Sequence, residues 1–174
     1  MLTTTHLLVA VLIGLVLNLN RDEWFVALLF GVAIDLDHVF AAPRYISQNG
    51  WAAILRPTWS DTSGLPWRSL LHDPVAAFVV APLAIGWRYF LPLLFWGAHL
   101  GIDYLQSATL AYSASVETMV IALCVAGIIS IQYGRWRALR PEAGFLRYVA
   151  HVRSTLRVAV RSSGASILQR LGST

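Results

Sequence analysis

Apolar residues fall along this chain in five long runs. They cover about Thr3 to Leu19, Trp24 to Ala42, Pro74 to Trp87, Tyr89 to Ser107 and Ser113 to Tyr133. A helix that spans a bilayer needs about 20 apolar residues, so the third run is short for one. The pattern predicts an all-α membrane bundle of about five spans over residues 1–134. A basic tail, residues 135–174, follows it. Asp73 and Pro74 suit the cap and first position of the third helix. Pro82 and Pro92 are expected to kink the third and fourth. The first run lacks a positive leading region and a small-residue cleavage pattern, so it reads as a retained helix rather than a signal peptide.

The long connection, residues 43–71, holds Pro43, Gly50, Pro57, Gly64 and Pro66 together with Tyr45, Trp51, Trp59 and Trp67. Aromatic residues at this density suit the membrane–water interface. In the tail, Phe145, Tyr148, Val149, Val152, Leu156 and Val160 recur at three- and four-residue spacing. Arg147, His151, Ser154, Arg157 and Arg161 lie mostly around the other side. Such a helix lies on anionic lipid or packs on a partner, and His151 belongs to its solvated face.

Composition agrees with a membrane class. Hydrophobic residues make up 57% of the 174 and charged residues 13%, about half the share of a soluble domain. Mean hydropathy is +0.62. There is no lysine, which excludes lysine Schiff-base or general-base chemistry, because arginine stays protonated. Cys124 is the single cysteine, so neither an intramolecular disulfide nor a thiolate zinc site is possible. From Arg135 onward eight arginines face one acid, a net +7. Positive charge favours the cytoplasmic side. The C-terminus is therefore expected in the cytoplasm of the plasma (inner) membrane. No nucleic-acid partner is expected, and the oligomeric state is open.

The nine acids and five histidines are placed unevenly. His6 opens the first helix; Asp35, Asp37 and His38 lie towards the end of the second. His72 and Asp73 precede the third, and His99 and Asp103 lie in the second half of the fourth. Consecutive spans alternate direction, so all eight residues fall on one side, the extracytoplasmic side in this orientation. Ionisable groups in a membrane are costly and mark function by default. His99 and Asp103, four apart, share a helix face, as do Asp35 and His38, three apart. Asp35 and Asp37, two apart, diverge in a straight helix, so the helix ends there or Asp37 serves a second ion. Asp35 and His99 lie roughly 15 Å into their helices, near mid-bilayer. Bound cations would resolve that cost. Imidazole and carboxylate donors without thiolate suit Zn2+, Mn2+ or Fe2+, one ion or two. Blander roles stay open for several: a polar helix end for His6, a cap for Asp73, an orienting partner for His38, a headgroup anchor for Arg68.

The segments Ala33-Ile-Asp-Leu-Asp-His38, Arg68-Ser-Leu-Leu-His72 and His99-Leu-Gly-Ile-Asp103, with a histidine near the N-terminus, resemble the membrane-bound metal-dependent hydrolase family, including its LexA-regulated inner-membrane type. The resemblance covers about residues 1–110. It implies that His6, Asp35, Asp37, His72, His99 and Asp103 are metal ligands. Many members carry a His-Arg pair before the second histidine; here Trp67 precedes Arg68. The resemblance implies a hydrolase without naming the bond.

The expected chemistry is hydrolysis by a metal-activated water. Asp37 or His38 would take the proton, with Asp73 as a further catalytic candidate. A site at bilayer depth suits an amphiphilic substrate such as a phospholipid or polyprenyl phosphate ester, its phosphate paired by Arg68 or Arg44. The rival readings are a proton or metal-ion transport protein, and a structural membrane protein clamped by metal. The opposite half of the bundle is nearly free of ionisable groups, which favours a one-sided pocket over a through pathway.

Overall fold

The computed structural model describes residues 3–55, 70–105 and 114–171, and these are helical with no strand among them. The all-α expectation therefore holds. The chain divides into two compact units, Met1–Ile128 and Ile129–Thr174.

In the first unit, α1 (Thr3–Leu17) and α2 (Arg21–Gly31) meet at a corner made by two asparagines. Asn18 takes the left-handed conformation at φ 52°. The Leu19 N–H donates to the Gly14 carbonyl at 3.1 Å and the Asn18 N–H to the Leu15 carbonyl at 3.3 Å, a Schellman ending. Asn20 then caps α2. Its side chain accepts from the Asp22 and Glu23 N–H groups at 3.0 Å each, while Glu23 accepts from the Asn20 N–H at 2.8 Å. This reciprocal pair satisfies donors that a helix start leaves open. Gly14 lies under Trp24, where a Cβ would come within 2.5 Å of the indole.

Arg88 ties this corner to the next one. Its Nε and Nη2 donate to the two Glu23 carboxylate oxygens at 2.9 and 2.8 Å, and Nη2 also reaches the Leu17 and Asn18 carbonyls at 3.3 and 3.4 Å. The Asn20 N–H first, and then Arg88, hold the Glu23 carboxyl below the usual glutamate range against the opposing effect of burial. A lowered folded-state pKa makes the charged form the stabilising one. The corner's contribution is thus present above the usual glutamate range and lost as pH falls through and below about 4. Thermal unfolding in detergent between pH 7 and 3 should show a decline in wild type that Glu23→Gln flattens. Equal slopes would contradict this.

The second apolar run is not one helix. α2 stops at Gly31, and Val32 leaves the helical region at φ −136°, ψ −53°. The chain continues as a 3-10 helix Ala33–Asp37, then α3 (His38–Asn49) and α4 (Trp51–Leu55). The other runs depart less. After 3-10 turns at Leu70–His72 and Pro74–Ala76 comes α5 (Ala77–Ala84). Pro82 lies inside α5, which ends two residues later rather than kinking. A 3-10 turn Arg88–Phe90 leads into α6 (Leu91–Leu105). Pro92 therefore sits in the first turn, where its missing N–H is not needed, and the expected kink is absent. Last in this unit, α7 (Ala114–Leu139) begins. At 26 residues it is the one described helix long and apolar enough to cross a membrane.

Within the first unit α2 packs on α1 and α6, and α5 packs on α6. One cluster joins Ala10, Leu19, Val26, Ala27, Leu91 and Phe95; another joins Ile34, Ala76, Val80 and Trp96. Around them the usual distribution is inverted. Thr5, His6, Glu23, His72, His99 and Glu117 are buried, while Phe78 is 85% exposed and Val16, Phe25 and Ile85 are exposed too. Water-soluble domains bury charge rarely and only when it is paired.

The second unit holds the end of α7 from Ile129, a turn through Pro141 and Glu142, and α8 (Phe145–Leu171). Tyr133 meets Phe145 edge-to-face and tilts against Tyr148, and Trp136 tilts against Tyr148 and stacks on His151.

Candidate metal centre

Four separate stretches deliver ionisable side chains to one place. His6 comes from the first turns of α1. Asp35 comes from the 3-10 helix after α2, and His72 from the 3-10 turn before α5. His99 and Asp103 come from one face of α6.

Local sequence explains how they are held. Phe95, His99 and Asp103 recur every four residues along α6. Phe95 packs in the first cluster and Trp96 in the second, which fixes the rotation of α6. The Trp96 indole N–H donates to the Leu71 carbonyl at 2.9 Å and so anchors the turn that carries His72. Gly31 closes the third side. A Cβ there would lie 3.2 Å from both Ala10 and Phe95. Its bare backbone lets the Gly31 carbonyl come within 3.0 Å of His99 Nδ1. A carbonyl only accepts, so Nδ1 carries the proton, and Nε2 is the ring atom that can offer a lone pair to a cation.

The Nε2 atoms of all three histidines face the two carboxylates. His6 Nε2 is 3.2 Å from Asp103 Oδ1, and His99 Nε2 is 3.2 Å from Asp35 Oδ1 and 3.6 Å from Asp103 Oδ2. His72 Nε2 is 3.5 Å from Asp35 Oδ1, 3.9 Å from Asp103 Oδ2 and 3.1 Å from His99 Nε2. The rings of His6 and His99 stack at 3.8 Å. His6 and His99 are each 2% exposed. Neither His6 ring nitrogen has a hydrogen-bond partner among the described residues; Nε2 is close to Asp103 but misaligned for one.

This donor set fits a metal ion. Ligands at about 2.0–2.1 Å from a tetrahedral ion stand roughly 3.3 Å apart. The separations above bracket that value. Two triads, His6–Asp35–His99 and His72–His99–Asp103, share His99, which suits one ion or two. The His99 Nδ1–Gly31 bond is the kind of outer contact that fixes a ligating imidazole's tautomer. Three imidazoles and two carboxylates without thiolate suit zinc, manganese or iron.

Five of the six expected ligands thus come together. The side chains of Asp37 and His38, and all of Arg68, lie outside the described residues. Arg44 is exposed on α3. Asp73, expected as catalytic, is exposed and outside the cluster; its carboxylate caps the following turn by accepting from the Val75 N–H at 2.8 Å. The sequence reading missed Thr5 and Glu117. The Thr5 hydroxyl donates to the Glu117 carboxylate in a fully buried pair, which joins the start of α7 to α1 beside His6. For Glu117 the sequence held a signal, because alternation of the predicted spans would put the start of the fifth run on the same side as the other eight residues.

No family model, curated protein or solved structure matches this chain.

Proposed function

We propose that this chain is an integral membrane, metal-dependent hydrolase, as the family resemblance implies, and that the depth of its site selects an amphiphilic, lipid-linked phosphoester. The observation that carries the reading is the convergence of His6, Asp35, His72, His99 and Asp103, from four stretches distant in sequence, on one buried place. These residues would hold one or two divalent cations, zinc foremost. Such a cation supplies Lewis acidity and lowers the pKa of a coordinated water to about 7. The chain's own residues do the rest. His99 is held in one tautomer by Gly31. Asp37 or His38, just after Asp35, takes the proton released on attack. Arg44 and Arg68 pair with the phosphate of the substrate.

Five apolar runs, together with polar residues inside and apolar ones outside, support a bundle of about five spans. Shorter helices such as α1 and α6 then cross as parts of the bundle, with the C-terminus cytoplasmic and the site extracytoplasmic. The test is phosphate release from phosphatidic acid, lysophosphatidic acid and polyprenyl diphosphate by zinc- or manganese-loaded protein in detergent. Turnover of at least one, reduced more than a hundredfold in Asp35→Ala and His99→Ala, is expected. Metal-loaded wild type inert on all three, or variants as active as wild type, would contradict it.

A further inference from the structure

We infer that the crook between the end of α7 and α8 is a binding site for an anionic phospholipid of the surrounding bilayer. It is built from residues other than those of the His–Asp cluster and does not depend on the proposed hydrolysis. The crook is a groove of about 930 Å³ whose walls include Ile129, Phe145, Val152 and Leu156, with Arg153 and Arg157 as its charged groups. That volume lies within the range of about 300–1,000 Å³ found for small-molecule sites. Its apolar wall has no cover within the described residues; Leu156 is 60% exposed.

Two observations choose the occupant. First, charge is one-sided. Glu142 is the single acid among the last 40 residues, against eight arginines. A guanidinium pairs a phosphate through two parallel hydrogen bonds. Second, the crook starts at the end of the one described helix of spanning length. That end carries Tyr133, Trp136, Arg135, Arg137 and Arg140, residue types that gather at headgroup level. An apolar groove at this level meets acyl chains, with phosphates beside its rim.

The test uses the full chain in detergent, titrated with phosphatidylglycerol or phosphatidylcholine of identical acyl chains and read by native mass spectrometry. Wild type should retain phosphatidylglycerol at least tenfold better. Each arginine near an anionic lipid is worth about fivefold, so Arg153→Gln with Arg157→Gln should cost about 30-fold for phosphatidylglycerol. Both arginines are exposed, so these variants should elute as wild type does; the double lysine variant should keep most of the preference. Leu156→Ser should weaken both lipids. Equal retention of the two lipids, or a preference unchanged in the double glutamine variant, would overturn the site. A lipid-free dimer that Leu156→Ser dissociates would overturn it too, by assigning the crook to a second copy.

Discussion

Asp103→Asn should lower zinc affinity more than a hundredfold. Among the described residues, the Asp103 carboxylate pairs with all three imidazoles, at 3.2 Å to His6, 3.6 Å to His99 and 3.9 Å to His72. Asparagine keeps the shape but removes the charge, and it turns an amide N–H2 or a weak carbonyl donor toward the site. Loss of an outer partner costs about 10–100-fold in metal affinity. A direct ligand should exceed that. The loss is concentrated because the site is buried, where an unpaired charge is expensive, and each ligand also neutralises its neighbours. Competition with a chromophoric chelator measures it. Affinity within threefold of wild type would remove Asp103 from the ligand set.

The second large effect comes from a residue with no side chain. Gly31→Val should cost about 1–3 kcal/mol of stability through overpacking, and about 10–100-fold in metal affinity. A Cβ at position 31 already stands 3.2 Å from Ala10 and Phe95; valine adds two methyls to that contact. To relieve it, α2 must back away from α1 and α6. The Gly31 carbonyl then leaves His99 Nδ1, which frees the ring to flip or change tautomer. Gly97→Ala and Gly101→Ala are the controls. Both lie in α6 two residues from His99, and a Cβ at either meets nothing within 4 Å among the described residues. They should leave metal affinity unchanged, and alanine should favour the helix slightly. Metal affinity retained in Gly31→Val alongside a lowered melting temperature would show that the carbonyl only packs and does not orient the imidazole.

Much of the centre was legible because its cause is general. A charged residue in an apolar run has to be compensated, and alternation of the predicted spans says which compensating groups would meet. His6, Asp35, His72, His99 and Asp103 follow from those two statements and from four-residue spacing. Glu117 obeys the same rule, but a lone acid in the first turn of a helix also reads as an ordinary helix-start charge. Thr5 carries no charge and gave no signal. The break at Gly31 was only half visible. The divergence of Asp35 and Asp37 at two-residue spacing implied an ending, but apolar continuity through Val32–Ile34 masked where it falls. The break coincides with a close approach of α1 and α6 to Gly31, where a Cβ would stand 3.2 Å from Ala10 and Phe95, and hydropathy carries no trace of it. Pro92 misled for a local reason. Proline is tolerated in a first turn and kinks a helix only beyond it, so its effect turned on a boundary that hydropathy does not fix.

The most direct test of the metal centre is the metal content of detergent-purified full-length chain by elemental mass spectrometry, after growth with zinc, manganese and iron supplied. Wild type would stand beside Asp35→Ala and His99→Ala. One or two equivalents of a divalent metal in wild type, lost in both variants, is the predicted result. Metal-free wild type purified without chelators, or variants that hold as much metal as wild type, would contradict the shared centre and leave a buried imidazole–carboxylate network in its place.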